Sequence, residues 1–198
     1  MNTLFAPIAL AASLMAFPAA AEKISLNAIS KYFNDFKTAE AKFTQLNSDG
    51  TIGTGKLYIH RPGRVRFEYD PPQKSLVMAG GGTVAIFDGK SNAGPEQYPL
   101  KRTPLSIILA RNVNLQKDRM VVAHTSDATT TTVTAQDPEN PEYGNIKLVF
   151  TGNPVELRQW VINNGSGDET TVILGEMQKG IKLSTFLFNI VHEAENWN

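Results

Sequence analysis

Apolar and polar residues alternate along most of this chain with the period of two that belongs to half-buried strands. The clearest case runs from residue 55 to 72, where 56–60 and 64–70 flank the turn dipeptide Pro62-Gly63. Alternation puts Val65, Phe67 and Tyr69 on one face and Arg64, Arg66, Glu68 and Asp70 on the other. This is a hairpin with one wet face and one apolar, aromatic-rich face. Further strands are predicted over 38–46, 76–78, 83–87, 119–124, 129–136, 145–150, 155–162 and 169–177, with turns at 80–82, 152–154 and 163–167. Many strands joined in order by short turns make an antiparallel sheet that curls or closes.

Two stretches carry the helical period instead. Over 25–36, Ile29, Tyr32, Phe33 and Phe36 fall at i, i+3, i+4, i+7, Leu26 extends the stripe, and Ser25 is placed to cap the helix. So short a helix must lie on another surface, and the sheet offers one. Residues 91–99 read as loop. After them, 103–110 reads as a helix with Thr103 as N-cap and Pro104 in its first turn. Leu105, Ile107, Ile108 and Leu109 are more than a one-sided surface helix requires, so it is buried in the core or closes over something apolar.

Residues 1–21 contain no charged side chain and end in small residues before Glu22. This is the pattern of a signal peptide cut after Ala21, and Pro7 and Pro18 argue against an uncleaved anchor helix. Residues 22–198 are then one exported domain. Lys and Arg balance Asp and Glu at 19 each, which removes the electrostatic footprint of a nucleic-acid binder or a polybasic membrane surface. There is no cysteine, so the export carries no disulfide and no lipid-modified cysteine.

Catalytic chemistry finds little support. His60, His124 and His192 stand without the spaced partners a metal needs, and no nucleophile elbow or phosphate loop is present. Asp137, Glu139 and Glu142 lack calcium-loop spacing and read as a solvated turn. No cofactor is expected. Binding is the better reading. One group of apolar residues belongs to the sheet (Phe43, Leu57, Ile59, Val65, Phe67, Tyr69, Met78, Ile86), and another to the helices (Leu26, Ile29, Phe33, Phe36, Leu105, Ile108, Leu109). The two groups pack as an ordinary core, or they line a cavity between them; the pattern leaves both open.

The blocks Phe43-Thr44-Gln45, Arg61-Pro62-Gly63-Arg64-Val65-Arg66-Phe67-Glu68-Tyr69, Tyr98-Pro99-Leu100 and Thr103-Pro104-Leu105, in this order, resemble the periplasmic outer-membrane lipoprotein carrier proteins of LolA type. The resemblance implies a mainly β fold, an unclosed antiparallel barrel with a helical lid over an apolar cavity. It also implies a monomeric, non-enzymatic periplasmic shuttle. Such a shuttle takes acylated lipoproteins from an inner-membrane lipoprotein-releasing ABC transporter to an outer-membrane lipoprotein receptor. Arg61 matches the family arginine that latches the lid through backbone carbonyls, and Phe67 matches a cavity-facing aromatic. With these, Phe43, Ile59, Val65, Tyr69, Ile86, Leu105, Ile108 and Leu109 are the candidates for an acyl-chain cavity. Arg64 and Arg66 are expected on a solvated outer face, and 186–198 show no sign of an additional tail. Two other readings are a lipid- or lipoprotein-sensing module of the same fold and a hydrolase built on His124 or His192.

Overall fold

The computed structural model describes residues 22–91, 93–116 and 119–197. The signal-peptide reading of 1–21 lies outside them. The helix α1 (Leu26–Asn34) begins where expected, with Ser25 Oγ accepting from the Ala28 amide at 3.2 Å. It stops two residues short of Phe36, and the chain turns at once into β1 (Thr38–Leu46). Phe36 is buried all the same.

The sheet continues through β2 (Ile52–His60), β3 (Arg64–Tyr69), β4 (Ser75–Gly80), β5 (Thr83–Asp88) and β6 (Glu96–Pro99). After the segment containing α2 (Leu105–Ile108) come β7 (Val121–Ser126), β8 (Thr130–Gln136), β9 (Asn145–Thr151), β10 (Glu156–Asn163), β11 (Glu169–Leu174) and β12 (Gln178–Lys179). All pairings are antiparallel, in the order β6-β5-β4-β3-β2-β1-β11-β10-β9-β8-β7, with β12 against β1. Two meanders thus meet at β1, and β6 and β7 form the ends of an unclosed sheet. β6 occupies the stretch read as loop, because Thr83–Ile86 offers it a free edge that no local periodicity could announce.

Glycines place two of these features. The β4–β5 turn needs two consecutive residues with positive φ, which Gly81 (58°) and Gly82 (83°) supply. Gly55 lies opposite Phe43 on β1 and Tyr69 on β3. A Cβ there would sit 1.9 Å from Glu68 O and 2.9 Å from the Phe43 ring. The missing side chain makes room for Phe43 to meet Phe67 and Tyr69 edge to face, at 5.3 and 5.2 Å.

The inner face carries Ala39, Ala41 and Phe43 on β1, Leu57 and Ile59 on β2, Val65 and Phe67 on β3, and Leu148, Phe150, Trp160 and Val172 on the other meander; all are buried. α1 lies across the β9 side, with Tyr32 and Phe33 edge-on to Phe150.

The outer face holds a second core that the sequence reading did not anticipate. Leu76, Met78, Ala85 and Phe87 are buried on it, so Met78 belongs to this side and not to the inner group assigned above. They are covered by the C-terminal segment: one 3-10 turn at Thr185–Phe188, then α3 (Ile190–Asn196) and Trp197. Trp197 lies 5.0 Å from the Phe87 ring, and Phe188 meets His60 edge-on at 5.8 Å. Arg66, expected in solvent, has a side chain only 11% exposed. It donates to Glu193 Oε2 (2.8 Å), Glu68 Oε1 (2.6 Å) and Leu187 O (3.2 Å). The periodicity that put Arg66 outside was right; what covers it comes from more than a hundred residues away.

Candidate functional site

A cavity of about 490 Å³ lies between the inner face and the N-terminal end of α2. Its apolar walls are Phe67, Tyr69, Val77, Val84, Ile86, Pro104, Leu105, Trp160, Ile162 and Val172. Gln45, Arg102, Thr103, Glu142, Tyr143, Asn164 and Thr170 complete the lining, and the exposure of Arg102, Glu142 and Asn164 marks the open side. Inside, the wall is apolar because strands present alternate residues to it; along β10, Trp160 and Ile162 lead up to Asn164 beyond the strand end. Tyr69 donates its hydroxyl to Gln45 Oε1 at 2.7 Å, and burial pushes its phenol up to about 12.

Of the residues singled out from sequence, Phe67, Tyr69, Ile86 and Leu105 line this cavity. Phe43 stands behind it, against Phe67 and Tyr69. Ile59, Val65, Ile108 and Leu109 sit in the continuous inner core and not in the cavity wall. Trp160, Val172, Val84 and Ile162 had not been singled out, although the alternation in their strands could have marked them. Ile86 is 38% exposed, which fits a rim position more than a packed one.

The lid runs from a 3-10 turn at Leu100–Arg102 through α2 to the strap at 109–115. Thr103 does not cap α2 through its side chain; its hydroxyl donates back to Leu100 O at 2.9 Å, and Pro104 takes the N-cap position. The strap is tied down firmly. Gly63 N donates to Leu109 O (2.9 Å), Asn34 exchanges two hydrogen bonds with Val113 (2.8 and 3.0 Å), and Leu115 N donates to Ser30 Oγ (3.0 Å).

Arg61 sits at the centre of these ties and is 5% exposed. Its Nη2 donates to Ala110 O at 2.6 Å and to Asn34 Oδ1 at 3.3 Å, and Nη1 donates to Phe36 O at 3.4 Å. No carboxylate among the described residues forms an ion pair with it. Burial lowers its pKa below the ordinary guanidinium value. A buried cation held by neutral oxygens is a costly arrangement, retained only where its fork of donors joins several carbonyls at once. Here it joins the end of α1 to the end of α2.

The model of the family described as outer membrane lipoprotein carrier protein LolA matches residues 34–191. The chain belongs to this family. A protein of Coxiella burnetii named outer-membrane lipoprotein carrier protein is 26% identical over 169 residues, covering 81% of this chain and 79% of the relative. One of the same name from Cupriavidus necator is 23% identical over 199 residues, covering 94% and 93%. Among solved structures, an outer membrane lipoprotein-sorting protein domain from Vibrio parahaemolyticus superposes with a TM-score of 0.50 at 8% identity, covering 83% of this chain and 94% of that one, a likeness of fold alone. As a family member the chain is a lipoprotein carrier, a transport chaperone without catalytic chemistry.

Proposed function

We propose that this protein holds the acyl chains of lipoproteins in the cavity under α2 and carries them through the periplasm. Cargo comes from an inner-membrane lipoprotein-releasing ABC transporter and goes to an outer-membrane receptor. The observation that carries this reading is an apolar cavity of about 490 Å³, open on one side, beneath a lid whose ties at one end include a buried arginine. That volume falls within the roughly 300–1,000 Å³ of small-ligand sites. Each methylene shielded from water contributes about 0.8 kcal/mol, so a carrier needs an apolar wall and little else to hold a chain. The leader-like residues 1–21 agree with export.

Arg61 supplies the other half of the cycle. Its bonds to Ala110 O and Phe36 O stabilise the closed, ligand-free lid. A chain inserted under α2 must compete with them, and their return on release makes delivery downhill. Affinity is thereby kept below the level at which the cargo would never leave.

The test uses spheroplasts loaded with newly made lipoprotein and incubated with purified residues 22–198. Soluble lipoprotein that co-elutes with this protein, and is absent when the protein is omitted, is the expected result. Lipoprotein that stays on the membrane while the protein remains folded would sink the shuttle reading.

A further inference from the structure

The lid is tied at two ends by contacts of very different strength. At the strap end stand the buried Arg61 fork, two Asn34 bonds, the Ser30 bond and the Gly63–Leu109 bond. At the cavity mouth, one side-chain contact among the described residues crosses from the lid to the turn at Pro141–Tyr143 that joins β8 to β9. Arg102 Nε donates to the Tyr143 hydroxyl at 3.3 Å, and its guanidinium lies 5.7 Å from the centre of the same ring. Both residues line the cavity. Arg102 is exposed, so this clasp is screened and hydrated in a way that the Arg61 fork is not.

Resting on the carrier reading above, we propose that Arg102 and Tyr143 form the portal of the cavity, and that acyl chains load between them while Arg61 still holds the far end of the lid. Opening then has two stages. The exposed clasp parts first, since a contact of its kind shifts an open–closed ratio by no more than about fivefold. A chain slides past Thr103 and Pro104, over Ile86 at the rim, and onto Leu105 and Phe67 of the wall. The Arg61 fork yields second, as the chain fills the space under α2. The guanidinium fork thus governs how deep and how long the cargo is held, and the clasp governs how fast it is admitted.

The chain has no cysteine, so a thiol pair can be placed without background. In the mature protein, Arg102→Cys and Tyr143→Cys are combined and bridged with a reductant-cleavable bis-maleimide. The probe is a palmitoylated peptide carrying an environment-sensitive dye, and its uptake is followed by stopped flow. Bridging is expected to slow uptake at least about tenfold, and cleavage of the bridge to restore it. Each single cysteine variant capped with N-ethylmaleimide has lost the clasp but is not tied, so it is expected to load at least as fast as the unmodified protein, which separates tying the mouth from crowding it. Arg102→Ala, which needs no bridge, is expected to load up to about fivefold faster. Loading of the bridged protein at the unbridged rate, or an Arg102→Ala rate that is unchanged or lower, would overturn the portal. Failure of the unmodified protein to bind the probe at all would overturn the cavity reading and the portal with it.

Discussion

Replacing Arg61 by leucine should separate closure of the lid from stability of the fold. The variant loses a charge-assisted bond of 2.6 Å to Ala110 O and two longer contacts near the limit of hydrogen bonding, at 3.3 and 3.4 Å. The short bond contributes about 1.5–3 kcal/mol to the closed lid. Against this, the buried guanidinium no longer has to be stripped of water, and leucine fills much of its space. That relief offsets the carbonyls left without a donor, which cost about 1–3 kcal/mol while dry and less once the loosened lid admits water to them. Lid opening should therefore become roughly 10- to 100-fold more frequent, since every 1.4 kcal/mol is tenfold, while the urea midpoint barely moves. Hydrogen exchange at the Leu109 and Gly63 amides reads this directly, because the first bonds within α2 and the second bonds to Leu109 O. Cargo should still load, but passage to a receptor should slow, as the closed lid no longer favours release. Unchanged exchange over 100–110 together with a stability loss above about 3 kcal/mol would show that Arg61 is only a structural brace.

Gly55→Ala should destabilise by about 1–3 kcal/mol in urea unfolding, as overpacking does, since its Cβ meets backbone at Glu68 and the Phe43 ring. Trp197→Ala should cost about 3 kcal/mol and expose the outer core over Met78 and Phe87 to a dye such as ANS, whereas a freely solvated C-terminal segment would show neither effect. Burial pushes the Tyr69 phenol up to about 12, from its ordinary value of 10.0. The folded state therefore keeps its phenol proton longer than the unfolded chain, and the stabilisation is complete below pH 10 and is lost as pH rises from 10 to 12. Tyr69→Phe should flatten that part of the stability profile, and an identical slope in the variant would assign the loss elsewhere.

Much of this protein is dictated by local pattern. Period-two alternation marked nearly every strand, because a half-buried sheet must sort its side chains by face. Glycine pairs and Pro-Gly marked the turns, and the i, i+3, i+4 stripe of Ile29, Tyr32 and Phe33 marked α1. Even the lid could be read from the density of aliphatics at Leu105–Ile108. Alternation states which residues share a face, however, and not what covers the face. Phe67 and Ile59 follow the same pattern, yet one lines the cavity and the other is packed solid, because only part of the sheet lies beneath α2. Met78 obeys the pattern on the opposite side, and it is buried only because α3 and Trp197 return to cover it. Arg61 finds its acceptors at Asn34, Phe36 and Ala110, and Arg102 meets Tyr143 across forty residues of sequence. Such meetings depend on how far the sheet curls and where its two free edges stop, and those are set by the sum of all the packing contacts, a quantity no short window of sequence contains.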